Sequence, residues 1–383
     1  MKPKIMDKQH CCRTIFYCLL LLWCATSTAF TEDKNAEQAS IRYAQGFTID
    51  YHDGYKLVTI LSPWKDAKTT YQYLLVQRGA AVPAGYESLP RIEIPAQSVI
   101  TMSTTHLAYL SQLDLLDTLV GYNSFAHVNA PEVLKRIAEG KIREVGGGSN
   151  VNIERIMELA PELIMTYSLG SPDDEYFKLR EAHLNVVLNA EYLESTPLGR
   201  AEWIKFVAAF FNKEQQAQQI FEAIAADYAA LVAKTKTLAF RPTVFLNTPY
   251  QGAWWMPGGK SYMAMLLQDA GASYLWTDID SQGSLMLDME AVYARAAEAE
   301  FWLHPGQWER LDDGRAQDER LTQFRAFQEG NVYNNNARVN AQGGNDYWES
   351  GLTRPDIILA DLIKIFHPHL LPEHELAYYK KLE

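Results

Sequence analysis

Four carboxylates stand in two short segments of similar sequence. Glu191 and Glu194 lie in the segment NAEYLES, and Asp346 and Glu349 lie in the segment GNDYWES. A glycoside hydrolase uses two such carboxylates, one as the acid and the other as the base or nucleophile. Tryptophans of the same chain could stack on the sugar rings. A secreted carbohydrate-active enzyme with paired carboxylates is therefore one hypothesis.

Signatures of other catalytic sites are missing from the sequence. There is no Gly-x-Ser-x-Gly elbow, no Walker loop and no His-Glu-x-x-His zinc motif. The glycines of VGGGSN are expected to form a turn. His367, His369 and His374 lie close together near the C-terminus, where they are either a weak surface metal site or polar residues at a helix end. We expect no enzymatic activity, no bound metal ion and no cofactor.

Aromatic residues accumulate between apolar runs, where polar residues are usual. In WWMPGGKSY, Trp254 and Trp255 precede a Pro-Gly-Gly turn. Successive side chains of an extended segment point to opposite sides, so at least one indole is expected to face outward. We predict a ligand-binding site from such segments, with these residues: Thr104, Thr105, His106, Tyr122, Tyr167, Tyr192, Tyr250, Trp254, Trp255, Lys260, Tyr262, Asn345, Tyr347 and Trp348.

Two kinds of element must position these residues. Residues 46–78 alternate in strand fashion around Asp53-Gly54, which predicts a β-hairpin. From residue 91 onward, short apolar runs alternate with helical stretches, which predicts βα units and mainly parallel sheets. The fold class is therefore α/β. The apolar runs are Val99–Met102, Leu163–Tyr167, Val186–Leu188, Val244–Leu246 and Phe301–Leu303.

Three segments recur in the same order in both halves of the chain. STTHLAYLSQLDLLDTLVGY resembles GKSYMAMLLQDAGASYLWTD, NIERIMELAPELIM resembles DMEAVYARAAEAEFWL, and NAEYLES resembles GNDYWES. This repeat predicts two related α/β lobes. It aligns Thr105 with Ser261 as helix caps, and it places His106 opposite Tyr262 on facing walls of a cleft. It also pairs Glu154 with Glu290, each at the start of a helix that leads into a strand.

A stretch with aromatic residues at helical spacing separates the two halves. It predicts a rigid connecting helix that begins at Pro197 and ends near Asn212. Ligands of open α/β sheets bind beyond the carboxyl ends of the strands, so we expect the site between the lobes. The expected domains are a signal peptide at 1–29, an extension with the β-hairpin at 30–90, an N-lobe at 91–196, the connecting helix at 197–212 and a C-lobe at 213–383.

The N-terminus has the pattern of a secretory signal peptide. Basic residues precede a short apolar run that ends near Cys24, and small residues precede a cleavage site after Ala29. A lipoprotein, in which Cys24 becomes the N-terminus, would need a small residue where Trp23 stands. All four cysteines lie in this leader, so we expect no disulfide in the mature chain. We expect a periplasmic protein, and the net charge of −12 disfavours nucleic acid as a partner.

The order of these elements resembles the periplasmic binding proteins of iron-siderophore and vitamin B12 uptake systems. The similarity covers about residues 92–370 and is carried by IPAQSVITMSTTHLAYLSQLDLLDTLVGY, NIERIMELAPELIM, GRAEWIKF and DMEAVY. The resemblance implies two α/β lobes joined by a single long helix, a monomer, and partnership with an ABC permease and its ATPase in the inner membrane. It also implies that one glutamate on each lobe docks to the permease, and Glu154 and Glu290 match those positions.

The resemblance further implies a large metal chelate as the ligand, held by stacking and a few polar contacts. We expect a ferric siderophore, with cobalamin or haem as alternatives for the same fold. Lys260 and Arg338 are the only obvious cations for an anionic chelate, which disfavours a highly charged catecholate. A bare zinc or manganese ion is disfavoured because no cluster of His and carboxylate ligands is evident.

Overall fold

A four-stranded sheet opens the part of the chain that the computed structural model describes, residues 38–383. The first two strands form the predicted hairpin around Asp53-Gly54, and the third strand is antiparallel to the second. The fourth strand is parallel to the third, so this sheet continues into residues assigned to the N-lobe from sequence. The strands are β1 (Phe47–His52), β2 (Tyr55–Ile60), β3 (Tyr71–Gln77) and β4 (Arg91–Ile94).

The expectations for the leader fall outside residues 38–383. These are the signal peptide at 1–29 and the lipoprotein alternative at Cys24. Within the described residues, no helix has both the length and the apolar character needed to cross a membrane.

The N-lobe contains a five-stranded sheet in which all neighbouring strands are parallel, in the order β7-β6-β5-β8-β9. Its central strands are fully buried, as expected for a parallel sheet that helices cover on both faces. The elements are β5 (Val99–Thr101), α1 (Thr104–Gln112), β6 (Leu119–Tyr122), α2 (Pro131–Ala138), β7 (Arg143–Glu144), α3 (Ile153–Leu159), β8 (Leu163–Thr166), α4 (Glu175–Glu181) and β9 (Val186–Leu188).

Two consecutive helices connect the lobes, α5 (Pro197–Ala209) and α6 (Glu214–Thr235). The Thr196 hydroxyl caps α5 by accepting from the backbone N–H of Gly199 at 2.9 Å. The single helix predicted over 197–212 ends at Ala209, because Asn212 takes a left-handed conformation with φ 55° before α6 begins. Every residue of α5 except Arg200 is buried, so this helix is a core element of the molecule.

The N-terminal extension is fastened to α5 through the buried carboxylate of Glu202. This carboxylate accepts hydrogen bonds from the backbone N–H groups of Arg42, Tyr43 and Ala44 at 3.0, 2.6 and 2.8 Å. Lys205 donates to the same carboxylate at 2.7 Å, and both side chains are completely buried. Because a buried charge is tolerated only when it is paired and hydrogen-bonded, this cluster fixes the extension on the connecting helix.

The C-lobe contains a second sheet, in the order β13-β10-β15-β16-β17, which is parallel except for β17. A separate antiparallel sheet of order β11-β12-β14 packs beside it. The two related α/β lobes with mainly parallel sheets are thus confirmed. The elements are β10 (Thr243–Leu246), β11 (Pro249–Tyr250), β12 (Ala253–Pro257), α7 (Tyr262–Asp269), β13 (Ser273–Tyr274), β14 (Ser284–Leu287), α8 (Met289–Ala296), β15 (Phe301–Leu303), α9 (Leu311–Gln317), α10 (Arg325–Gln328), β16 (Val332–Asn334), α11 (Pro355–Phe366) and β17 (Lys380–Lys381).

Short 3₁₀ helices occupy several of the connections between these elements. Two of them correspond to the repeated segments NAEYLES and GNDYWES. They are Leu116–Thr118, Phe125–His127, Gly148–Asn150, Glu191–Leu193, Glu319–Gln323, Asp346–Trp348, Gly351–Thr353 and Pro368–Leu370.

The internal repeat is visible in how equivalent helices begin. Asn152 caps α3 by accepting from Arg155 N at 2.9 Å, and Asp288 caps α8 by accepting from Ala291 N at 2.7 Å. Each helix then carries a glutamate in its first turn and leads into a strand of its lobe's parallel sheet.

In the first repeated segment, the expected alignment of the two halves is wrong by two residues. Ser261 caps α7 as predicted, accepting from Ala264 N at 3.2 Å. The residue at the N-cap of α1 is Ser103, however, and Thr105 lies inside the helix. The residue equivalent to Ser261 is therefore Ser103, and the expected pairing of His106 with Tyr262 does not hold.

Candidate functional site

A cavity of about 750 Å³ lies between the two lobes. It opens where the strands of both parallel sheets reach their carboxyl ends, as expected for an open α/β fold. Its lining is formed by Met102, Ser103, Thr104, Thr105, Tyr122, Asn123, His127, Tyr167, Leu169, Glu191, Tyr192, Arg200, Asn247, His304, Gly306, Gln307, Asn335, Gly343, Gly344, Asn345, Trp348 and Leu352.

Half of the predicted ligand-binding residues are brought together at this cavity. From the N-lobe these are Thr104, Thr105, Tyr122, Tyr167 and Tyr192, and from the C-lobe they are Asn345 and Trp348. The rings of Tyr167 and Tyr192 meet edge to face with their centroids 6.3 Å apart. The Tyr192 hydroxyl donates to Ser168 O at 2.6 Å, which fixes that ring.

The two adjacent tryptophans do not reach the cavity. Trp254 is fully buried in the C-lobe core, and its indole N–H donates to Leu246 O at 2.8 Å. Trp255 points to the opposite side and is 47% exposed, next to Met286 on the paired strand. We predicted that both tryptophans bind ligand, but they belong to strand β12, which pairs with β14. Successive side chains of a strand point to opposite faces, so one indole lies in the core and the other on the surface.

The remaining predicted ligand-binding residues also lie away from the cavity. Tyr250 and Lys260 are on the surface of the C-lobe. His106, Tyr262 and Tyr347 are buried within the molecule. His106 faces the core because α1 begins two residues before it, and burial lowers its pKa to about 3. None of these five side chains lines the cavity.

Paired carboxylates are not assembled at the cavity. Of the four carboxylates in the repeated segments, Glu191 alone lines it. Glu194 accepts from the backbone N–H groups of Gln45 and Gly46 at 2.9 Å, and from the indole N–H of Trp203 at 2.9 Å. Among the described residues that line the cavity, Glu191 is the single Asp or Glu, so the pair of carboxylates that glycoside hydrolysis requires is not assembled there.

Asp346 and Glu349 have structural partners as well. Asp346 lies 3.3 Å from an Arg338 nitrogen and accepts from the Ser350 hydroxyl at 2.8 Å. Glu349 reaches from the C-lobe to the N-lobe, where it accepts from the backbone N–H groups of Asn129 and Ala130 at 2.7 and 3.1 Å. It thereby satisfies free donors at the start of α2.

Further contacts join the lobes at the same edge of the cavity. Asn340 donates to the carbonyl groups of Ala126 and Val128 at 3.0 and 2.9 Å. Gly344 passes so close to the N-lobe that a Cβ atom there would lie 2.7 Å from the His127 carbonyl oxygen. Only glycine fits such a close approach.

Glu191 and Arg200 place a carboxyl group and a guanidinium at the cavity. Burial raises the pKa of Glu191 to about 7, against the opposing effect of the Arg200 guanidinium. Arg200 donates to Tyr192 O at 2.8 Å and lies over the ring of Tyr262, 4.4 Å from its centroid. The side chain of Tyr262 thus supports the site from beneath, although it does not line the cavity.

Amide side chains make up much of the remaining polar lining, and sequence reasoning overlooked them. Asn123, Asn247 and Asn335 each directly follow a strand of the parallel sheets, β6, β10 and β16. His304 follows β15 in the same way, and burial lowers its pKa to about 3. The rule that ligands bind beyond strand ends would have selected all four of these residues.

Neither predicted cation nor the histidine cluster contributes to the cavity. Lys260 is exposed elsewhere and Arg338 pairs with Asp346, as noted above. Near the C-terminus, His367 contacts Gly271 O at 3.1 Å and His374 contacts Asp361 at 2.7 Å. Across residues 38–383, no group of three or more His, Cys, Asp or Glu side chains could hold a metal ion.

Comparisons with known proteins agree with this architecture. The family model described as periplasmic binding protein matches residues 99–339. The chain is 28% identical over 379 residues to an uncharacterised lipoprotein of Methanocaldococcus jannaschii, covering 93% of this chain and 88% of that protein.

Two solved structures illustrate the likeness of fold. A periplasmic haem-binding protein of Vibrio cholerae aligns with a TM-score of 0.53 at 18% identity, covering 69% of this chain and 98% of that one. An Fe³⁺-hydroxamate transport protein of Saccharomonospora viridis aligns with a TM-score of 0.52 at 17% identity, covering 71% and 92%. The chain belongs to the periplasmic binding protein family, whose members are extracytoplasmic solute-binding components of ABC importers.

Proposed function

We propose that this protein captures a metal chelate of low net charge, a ferric trihydroxamate siderophore, in the cavity between its lobes. It then delivers the chelate to an ABC permease. The observation that carries the proposal is the composition of the cavity lining, in which aromatic rings and neutral amides surround one carboxylate and one guanidinium. One of the related structures described above is named for Fe³⁺-hydroxamate transport.

The charge of the lining favours a neutral chelate. Three hydroxamate anions balance the charge of Fe³⁺, whereas three catecholates leave the complex with a net charge of about −3. Removing such an anion from water is costly unless cations pair with it. Among the described residues that line the cavity, Arg200 is the one Lys or Arg side chain. Glu191, whose pKa burial raises to about 7, offsets that charge where its carboxyl group is ionised.

The aromatic lining suits the apolar surface of a chelate. Tyr167 is 41% exposed and Trp348 is 48% exposed, so both rings have free faces. Amides of the lining supply donors and acceptors that fix orientation, as is usual in small-molecule sites. The volume of about 750 Å³ lies within the range of such sites.

Replacing Trp348 with alanine will weaken binding of ferrichrome, a ferric trihydroxamate, by about 10- to 100-fold, because the variant loses an aromatic contact surface. Trp255→Ala is the matched control, since Trp255 is equally exposed but lies outside the cavity. The measurement is quenching of intrinsic fluorescence on titration of each purified protein. Equal affinities of the two variants would contradict the proposed site.

The same titration separates the alternative ligands. Wild-type protein is expected to bind ferrichrome in preference to haem, cyanocobalamin and a ferric tris-catecholate. Preference for haem or cyanocobalamin would be consistent with a chelate-binding protein but would contradict a ferric trihydroxamate as its ligand. Turnover of a glycoside without binding of any chelate would overturn the transport function itself.

A further inference from the structure

Trp64 of the N-terminal extension packs directly against the backbone of a loop at the cavity. Trp64 lies in the connection between β2 and β3, and Gly170 lies in the loop between β8 and α4. A Cβ atom at Gly170 would lie only 2.5 Å from Trp64 Cδ1. Gly170 also has φ 84°, a left-handed conformation that favours glycine. The indole therefore occupies the space that a side chain at position 170 would need.

Aromatic rings of the extension and of the N-lobe hold this indole in place. Its ring centroid lies 5.8 Å from that of Tyr71 at the start of β3 and 5.9 Å from that of Phe177 in α4. Tyr71 in turn meets Tyr176 of α4 edge to face at 5.7 Å. Trp64 thus packs against the hydrophobic core of the N-lobe, although it belongs to an element that precedes the lobe in the chain.

The loop that Trp64 contacts carries two residues of the cavity lining. Tyr167 and Leu169 both line the cavity, and both side chains are exposed. The Asp174 carboxylate ties the loop together by accepting from the backbone N–H groups of Leu169 and Gly170 at 2.7 and 2.9 Å. It also accepts from the Ser168 hydroxyl at 2.6 Å. Because these bonds make the loop one unit, a contact at Gly170 also bears on its neighbours at the cavity.

We propose that Trp64 is a positioning residue for ligand binding, which holds the loop with Tyr167 and Leu169 in its binding arrangement before the ligand arrives. Trp64 does not itself line the cavity, so it acts through its contact with Gly170. The N-terminal extension thereby takes part in ligand binding. This inference rests on the proposed function for the chelate that is bound, whereas the order of the loop is a property of the ligand-free protein.

A positioning role and a purely stabilising role differ in where their effects appear. If Trp64 only stabilises the molecule, its removal loosens the extension and the N-lobe generally. If it positions the loop, its removal loosens residues 167–171 in particular. The ligand must then immobilise these side chains when it binds, which costs affinity.

The first measurement needs no ligand. Hydrogen–deuterium exchange of the ligand-free protein, followed by mass spectrometry, reports on the backbone N–H groups of residues 167–171. Trp64→Ala is expected to exchange about 10-fold faster there than wild-type protein, because the loop opens locally more often. Trp64→Phe keeps a flat ring against Gly170 and should restore most of the protection.

The second measurement is the affinity for ferrichrome, by isothermal titration calorimetry. Trp64→Ala is expected to weaken binding by about 5- to 30-fold, and Trp64→Phe should recover most of that loss. Tyr86→Ala is the matched control and should change neither exchange at 167–171 nor affinity. Tyr86 is also a partly buried aromatic residue of the extension, but it packs on Tyr55, at the opposite end of β2 from Trp64.

A double-mutant cycle tests the contact with Gly170 itself. Gly170→Ala forces a Cβ atom against the indole and should weaken ferrichrome binding by about 5- to 30-fold in the wild-type background. In the Trp64→Ala background the loop is already released, so the same change should cost no more than about threefold. Such non-additivity is expected of residues in direct contact.

Thermal unfolding of each variant checks that it is folded. Wild-type exchange at residues 167–171 in folded Trp64→Ala protein overturns the inference, and so does faster exchange spread evenly over the N-lobe. Faster exchange of the loop with unchanged ferrichrome affinity overturns the role in ligand binding and leaves the proposed function intact. Failure of wild-type protein to bind ferrichrome overturns the proposed function, while the exchange comparison still decides whether Trp64 orders the loop.

Discussion

Glu202→Gln will lower the free energy of unfolding by about 3–5 kcal/mol, the range expected when one partner of a buried ion pair is removed. The glutamine leaves Lys205 as a buried charge without its counter-ion. It also presents an amide NH₂ where the carboxylate accepts from three backbone N–H groups of the N-terminal extension. The extension and α5 should therefore lose stability together. Chemical denaturation of the purified variant measures the change.

Glu222→Gln is the matched control for this change. Glu222 also bonds to the extension, through the Arg42 guanidinium at 2.6 Å, but its side chain is 42% exposed. Exposed ion pairs contribute at most about 1 kcal/mol. If the two variants lose similar amounts of stability, the extension is not anchored through Glu202 as the structure indicates.

Charge reversal of Glu154 and Glu290 together will abolish uptake while leaving chelate affinity unchanged. Both glutamates are exposed in the first turn of equivalent helices, one on each lobe, and neither lines the cavity. Glu290 has a neighbour on its own lobe, since Arg320 lies 3.7 Å away. We propose that the pair docks on basic residues of the permease, as the family resemblance implies. Replacement by arginine turns that attraction into repulsion.

The measurement is accumulation of ⁵⁵Fe-labelled ferrichrome by cells that carry each variant, with affinity measured separately on purified protein. Glu181→Arg with Glu298→Arg is a control of equal charge change, because these glutamates are also exposed and lie one on each lobe. Normal uptake by the Glu154→Arg, Glu290→Arg protein would refute the docking role. Equal loss in both double variants would attribute the effect to net charge.

Periodicity and repetition were sufficient to predict the architecture. The alternation of apolar runs with helical stretches predicted the parallel sheets, and Asp53-Gly54 predicted the hairpin. The hairpin and the alternation of strands with helices depend on residues that are close together in the chain, whereas pairing of the parallel strands joins distant segments such as β5 and β8. The pairing of Glu154 with Glu290 is supported in the same way, since equivalent capping residues precede both helices.

The composition of the site depended on details that local sequence does not determine. Trp254 and Trp255 were assigned to the cavity because they precede a turn, but pairing of β12 with β14 places one in the core and the other on the surface. Because α1 begins two residues earlier than expected, His106 lies in the core and not at the cavity.

Long-range hydrogen bonds account for the carboxylates that were considered as catalytic groups. Glu194 binds backbone 149 residues away, and Glu349 binds backbone 220 residues away. No local pattern indicates such partners, so a structural role could not be separated from a chemical one by sequence alone. In contrast, the asparagines that follow strand ends could have been found by applying the strand-end rule to every strand.

The central claim is that an intact chelate occupies the cavity between the lobes. An anomalous difference map at the iron edge, from crystals grown with ferrichrome, tests it most directly. We expect a single iron position inside the cavity, bordered by Tyr167, Tyr192 and Trp348, with all six iron ligands supplied by the hydroxamates. Iron bound directly by protein side chains, or located only outside this cavity, would contradict it.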